Sequence, residues 1–282
     1  SDLDLYHGPA AQRLMSHVSM AFALGPAIAP ILGGWIFSVF GWRAVFVFLA
    51  LLGLVLAALT AGKLPETHPP EARHPLHPGP LARRYREVFT TPGFLLLTFA
   101  VSLNFNGFFV YVLSAPVFLM HHLGLPETGF GWFFIPTVSG MMAGSATSAR
   151  LAGRLSPPRT IALGIGLMLC AAAANLAVAH LMTPGLPQSV LPIMLYTFGM
   201  AISMPSLTLL ALDYFPTHRG LASSCQSFLQ MLFSSLTAGI VAPALWDSVG
   251  KLAAGMAGNL LAGLACFGLW WALYHRTRSL AA

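Results

Sequence analysis

Uncharged, apolar runs of membrane-spanning length dominate this chain. No Asp, Glu, Lys or Arg interrupts residues 14–42, 44–62, 94–126, 128–149, 160–212, 220–246 or 252–275, and the 160–212 run is divided by a Thr-Pro-Gly-Leu-Pro turn at 183–187. A helix that crosses a bilayer needs about 20 mostly apolar residues, whereas a soluble chain must cover its surface with charge. Charged residues are 8% of the total here, against about 25% in an ordinary soluble domain. The pattern therefore predicts an all-α, polytopic transmembrane fold of eight helices, at residues 14–38, 44–62, 93–120, 129–150, 160–182, 190–212, 220–246 and 252–274.

The net charge of +6 reports topology rather than a nucleic-acid partner. With eight spans both ends share one side, and Arg13, Lys63, Arg73, Arg83, Arg84, Arg86, Arg150, Arg154, Arg159, Arg219, Arg276 and Arg278 all fall there. Only Arg43 and Lys251 fall on the other. Basic loops stay on the cytoplasmic side, so both termini are expected to be cytoplasmic. Trp35, Trp42, Trp132, Trp246, Trp270 and Trp271 lie near span ends, as an interfacial aromatic belt requires. Cys170, Cys225 and Cys266 sit in or beside apolar spans with no motif spacing and read as packing residues.

The longest polar interruption is 63–92, which opens KLPETHPPEARHPLHPGP. Its Pro and His content disfavours a packed fold, and His68, His74 and His77 lack metal-ligand pairing, so no metal is expected. It ends in LARRYREVF, where Leu81, Tyr85, Val88 and Phe89 share one helical face and Arg83, Arg84 and Arg86 lie off it. Such a basic amphipathic helix suits the inner leaflet's surface. The chain thus divides into residues 1–62 with two spans, a cytoplasmic linker at 63–92 and a six-helix bundle at 93–282. It opens on SDLDLYHG, with no Met, no signal peptide and a span following at once, as expected of the C-terminal part of something longer.

Two spans carry small-residue stripes. In ALGPAIAPILGGW, Ala21, Gly25, Ala29 and Gly33 recur every four residues with Gly34 beside them, and Pro26 and Pro30 lie one turn apart. Helices in lipid associate by close backbone packing, so such a stripe marks an interface, and the prolines stiffen or bend the span. Gly140, Gly144 and Ser148 form a second stripe in the fourth span. The two helices are expected to cross along these residues.

Polar residues within spans mark either interhelical hydrogen bonds or a ligand path. Asn104, Phe108 and Tyr111 share a face of the third span, Tyr196, Gly199, Ser203 and Ser206 one of the sixth. Gln226, Gln230, Ser234 and Thr237 form a stripe on the seventh, which must face protein or a water-filled cavity. Asn104, Phe108, Tyr111, Tyr196, Ser203, Gln226 and Gln230 are the substrate-cavity candidates, and aromatic with amide groups would suit an amphiphilic, weakly polar molecule. No Asp, Glu, Lys or Arg stands mid-span, Asp213 and Asp247 being at span ends. No nucleophile–base set, carboxylate pair or cofactor motif appears, so neither an enzyme nor a cofactor is expected.

GPAIAPILGGW, followed by GWRAVF and then LPET, resembles the fifth and sixth helices of the major facilitator superfamily, in particular its bicyclomycin/chloramphenicol resistance (Bcr/CflA) drug-efflux group. Gly25, Pro30, Gly33 and Gly34 match that superfamily's antiporter motif, Ala29 replaces its second glycine and Pro26 is extra. FPTHRGLASS at 215–224 is similar to the family's loop between helices ten and eleven. RLAGRLSPPRT at 150–160 resembles a second copy of the basic loop motif, with Gly153 where an acid often stands. The resemblance implies helices five to twelve of a rocker-switch transporter in a bacterial inner membrane, expelling small amphiphilic drugs in exchange for protons. It implies a monomer, a coupling acid on the family's first helix, and an antiporter helix at the seam between halves, paired with the eighth helix. Two other readings stand beside it: a permease subunit that needs a partner for energy, and a non-transporting remnant.

Overall fold

The computed structural model describes residues 41–63 and 78–275, together with Leu32, Gly33, Ile36, Val39 and Phe40. Gly25, Pro26, Ala29, Pro30 and Gly34 lie outside the described residues. Gly33 is described, and a Cβ built there would meet nothing within 4 Å.

Helices α1 (Trp42–Lys63), α2 (Pro78–Thr90), α3 (Pro92–Leu113), α4 (Gly131–Leu151), α5 (Pro157–Leu181), α6 (Leu191–Leu212), α7 (Arg219–Leu236) and α8 (Val249–Trp270) follow one another along the chain. A π-helical turn, Thr237–Val241, and one further helical turn, Ala242–Leu245, prolong α7. Among the described residues, six helices are long and apolar enough to cross a membrane: Trp42–Gly62, Pro92–Leu113, Pro157–Leu181, Leu191–Leu212, Arg219–Leu245 and Val249–Tyr274. Helix α4 falls outside that set although it is 21 residues long, because Gly, Ser and Thr replace large apolar side chains along its packed face. The expected all-helical membrane fold is borne out.

Local chemistry sets the helix ends. Pro92, Pro157 and Pro192 occupy first-turn positions, where the missing N–H costs nothing. Ser248 caps α8 by accepting from the Lys251 N–H at 3.2 Å. The turn after α4 needs Gly153, whose φ is +82°, a left-handed conformation that glycine adopts without a Cβ clash. That backbone demand accounts for glycine at this position of the basic loop.

The core lies among α3, α5, α6 and α8, around Phe94, Leu97, Tyr111, Ile161, Met168, Tyr196, Met256 and Leu260. Large apolar side chains remain exposed on α1 and α7, as a helix facing lipid allows. At one end of the bundle, the His122 Nε2–H donates to the Trp246 carbonyl at 2.9 Å, and Trp246 Nε1–H donates to Ser114 Oγ at 3.0 Å. Lys251 donates to the exposed Asp247, and this bond holds the carboxyl below the usual carboxylate range. At the other end, Trp270 Nε1–H donates to Tyr214 Oη at 2.9 Å.

Candidate functional site

Small residues bring the helices together. A Cβ on Gly164 of α5 would stand 2.6 Å from the Gly199 carbonyl of α6, and one on Gly199 would stand 2.7 Å from the Gly164 carbonyl. The two glycines face each other, so the backbones meet with no side chain between them.

The Gly140, Gly144 and Ser148 stripe also reaches α6. A Cβ at Gly140 would strike the Met194 carbonyl, and one at Gly144 the Phe198 carbonyl. Ser148 Oγ donates to the Ile202 carbonyl at 3.2 Å, and Thr197 Oγ1 donates to the Thr137 carbonyl at 2.8 Å across the same crossing. The opening span, expected to cross this stripe, lies largely outside the described residues; among those described, the stripe is occupied along its length by α6. The physical reason is that α6 offers backbone carbonyls and Ala201 at the matching four-residue intervals, which lets the axes approach closely.

Several residues read as cavity candidates are buried in the same packing. Tyr196 is fully buried and donates to the Asn104 carbonyl at 2.9 Å, above Gly107. Tyr111 is fully buried and accepts from Asn175 Nδ2 at 2.8 Å. Ser203 is buried, and its hydroxyl donates to the Met200 carbonyl within its own helix at 3.2 Å. The Asn104 amide is buried over Gly263 of α8, where a Cβ would stand 2.5 Å from Oδ1. Phe108 is 5% exposed and belongs to the core. Tyr196 and Tyr111 thus join helices by hydrogen bonds, whereas Asn104 Nδ2 and Oδ1 are buried with no hydrogen-bond partner.

The α7 stripe does face inward. Gln226, Ser234 and Thr237 are buried and Gln230 is half-buried, while Phe228 and Met231 on the opposite side are 59% and 61% exposed. The Thr237 hydroxyl donates to the Phe233 carbonyl at 2.9 Å. Ser234 Oγ is buried with no hydrogen-bond partner.

Helix α3 carries a second line that the sequence reading passed over. Thr98, Ser102 and Asn106 are four residues apart and fully or almost fully buried. Thr98 Oγ1, Ser102 Oγ and Asn106 Oδ1 have no hydrogen-bond partner, although Asn106 Nδ2 donates to the Ser102 carbonyl at 2.8 Å. Asn106 lies two turns above Phe99 on one face, and Phe99 meets Phe233 of α7 edge-on with centroids 5.4 Å apart. The π-helical turn Thr237–Val241 also packs against α3, and such turns often occur at functional positions. An unpaired buried polar group costs about 1–3 kcal/mol, so this seam favours any molecule that brings polar groups to it. The recurrence of Thr98, Ser102 and Asn106 every fourth residue was the available signal, masked by Asn104 nearby. Among the described residues, no group of three His, Cys, Asp or Glu comes together to hold a metal ion.

Residues 3–238 match the Major Facilitator Superfamily. A bicyclomycin resistance protein homologue of Haemophilus influenzae is 30% identical over 164 residues, which cover 58% of this chain and 41% of that protein. The multidrug transporter MdfA of Yersinia pestis is 28% identical over 265 residues, 91% of this chain and 61% of the relative. The multidrug resistance protein MdtM of Escherichia coli O157:H7 is 25% identical over 241 residues, 85% and 58% of the two chains. The chain therefore spans between 41% and 61% of the length of these relatives. Among solved structures, a bacterial homologue of the human lysosomal transporter Spinster, inward-facing and unoccupied, has the same fold at a TM-score of 0.50 and 19% identity. That match covers 90% of this chain and 64% of the other.

Proposed function

We propose, from the premise that this chain belongs to the major facilitator superfamily of membrane transporters, that it forms part of an exporter of small amphiphilic drugs. The observation that carries the reading is the line of buried polar atoms without hydrogen-bond partners on α3, at Thr98, Ser102 and Asn106, together with Ser234 Oγ of the neighbouring α7. Gln226 and Gln230 line the same side of α7 and supply amides that accept and donate. Amphiphilic molecules would bury their apolar bodies there and satisfy these groups. Residues 1–62 would then belong to one bundle, 63–92 to a cytoplasmic linker and 93–282 to the second bundle. Alternating access would rock the bundles about the opening stretch around Gly25, Pro26, Ala29, Pro30, Gly33 and Gly34, driven by proton exchange at an acid outside these 282 residues. The bacterial inner membrane, with both ends cytoplasmic, accords with the segregation of the basic residues.

Chloramphenicol binding to the purified chain tests the seam. Asn106→Leu is expected to weaken binding about tenfold, the worth of one hydrogen bond in a desolvated site, without lowering the unfolding midpoint. Asn175→Leu, which removes the partner of Tyr111, is expected to lower the midpoint and leave binding nearly unchanged. Unchanged affinity in Asn106→Leu would place the drug elsewhere. The drive has its own test. Cells producing only these 282 residues are expected to retain ethidium as control cells do, and protonophore-sensitive efflux from them would put the coupling group within the chain.

A further inference from the structure

The end of the bundle where most basic residues gather carries a cavity that drug export does not use. It has a volume of ≈ 530 Å³ and is lined by Gly79, Arg83, Arg84 and Glu87 of α2 and by His218, the residue immediately before α7. Val88, 1% exposed, anchors α2 to the bundle, and Phe89 meets Phe228 of α7 edge-on with centroids 6.4 Å apart. Arg83 is exposed and Arg84 half-buried. Among the described residues the ion pairs are Arg219 with Asp213 and Lys251 with Asp247, so neither arginine of the cavity is neutralised by one. Glu87 offsets one of the two guanidiniums, which leaves the lining with net positive charge. His218 also brings the cavity against the positive end of α7.

We infer that this cavity holds the phosphate head group of an anionic phospholipid of the inner leaflet. Planar guanidiniums bind phosphate oxygens in pairs, and a free phosphate would use the same chemistry. The lipid is favoured because the α7 surface that leads away from the Phe89–Phe228 contact is apolar and open, with Phe228 59%, Met231 61% and Leu232 45% exposed. Acyl chains lying along it would cover that surface, which a free phosphate would leave bare. The lipid would pin α2 to the start of α7.

The full 282-residue chain in phosphatidylcholine nanodiscs with a minority of phosphatidylglycerol tests this, with spin-labelled lipids reporting relative association. Wild-type chain is expected to prefer phosphatidylglycerol about fivefold over phosphatidylcholine, the worth of one net basic charge at an anionic surface. Arg83→Ala with Arg84→Ala is expected to bring that preference close to unity while the unfolding midpoint holds. Lys251→Ala, at the opposite end, is expected to change nothing. Retained preference in the double variant would overturn the site, as would an equal loss in Lys251→Ala, which would mean that overall charge decides. Displacement of the labelled lipid by inorganic phosphate would assign the cavity to a free phosphate instead.

Discussion

Gly164→Ala is expected to destabilise the bundle by about 1–3 kcal/mol, the cost of overpacking a close-packed contact, while Gly166→Ala two residues away is expected to cost nothing. The added methyl at Gly164 would meet the Gly199 carbonyl at 2.6 Å, Ser203 Cβ at 2.7 Å and the Ser203 nitrogen at 2.9 Å. Two of these are backbone atoms of α6 and cannot swing aside, so the helices must separate. Separation would also stretch the contacts of the other face of α6, where Gly140 and Gly144 lie against the Met194 and Phe198 carbonyls. At Gly166 a Cβ meets nothing within 4 Å, and replacing a helical glycine by alanine where there is room gains up to about 1 kcal/mol. Because both changes are made in one helix with the same chemistry, helix propensity cancels and packing remains. Unfolding in sodium dodecyl sulfate, followed by circular dichroism, measures the difference. Equal midpoints for the two variants would mean that α5 and α6 are not in backbone contact.

This contrast also marks what the sequence could and could not disclose. Helices in lipid must satisfy every backbone group internally, so span and helix coincide. The expected span 190–212 is Leu191–Leu212, and 160–182 is Pro157–Leu181. The third span, expected over 93–120, ends as a regular helix at Leu113 because Ser114 closes it and a π-helical turn, Val117–His122, follows. Periodicity identifies a face but not its neighbour. The stripe at Gly140, Gly144 and Ser148 was legible as an interface, whereas α6 as its partner depended on carbonyl positions that no spacing encodes. Of the two asparagines in LNFNG, Asn104 shares a face with Phe108 and Tyr111 and packs over Gly263, while Asn106 lies nearly opposite, towards α7. Both look alike in a polar-residue scan, and only the location of α7 and α8 separates them. The α7 stripe was legible because its polar face is continuous, and a continuous polar face cannot be turned to lipid cheaply.

Gly107→Ala and Tyr196→Phe are expected to be strongly non-additive, and their coupling decides whether Tyr196 is a lock between helices or a ligand contact. A methyl on Gly107 would overlap the Tyr196 hydroxyl, which donates to the Asn104 carbonyl at 2.9 Å. Gly107→Ala should therefore displace the ring and lose that bond, costing about 2–3 kcal/mol as strain and hydrogen bond together. Tyr196→Phe alone should cost about 1 kcal/mol, within the range for interhelical hydrogen bonds in membranes. In the double variant the hydroxyl that clashes is gone, so the total should fall below the sum by at least about 1 kcal/mol. Relief should be incomplete, because the Met256 carbonyl at 3.2 Å and Tyr196 Cζ at 3.1 Å still crowd the methyl. Drug affinity should change little in Tyr196→Phe, because its hydroxyl is fully buried and already used. Additive costs with a large loss of drug affinity in Tyr196→Phe would return Tyr196 to the substrate path and move the site from the α3–α7 seam to the α3–α6 contact.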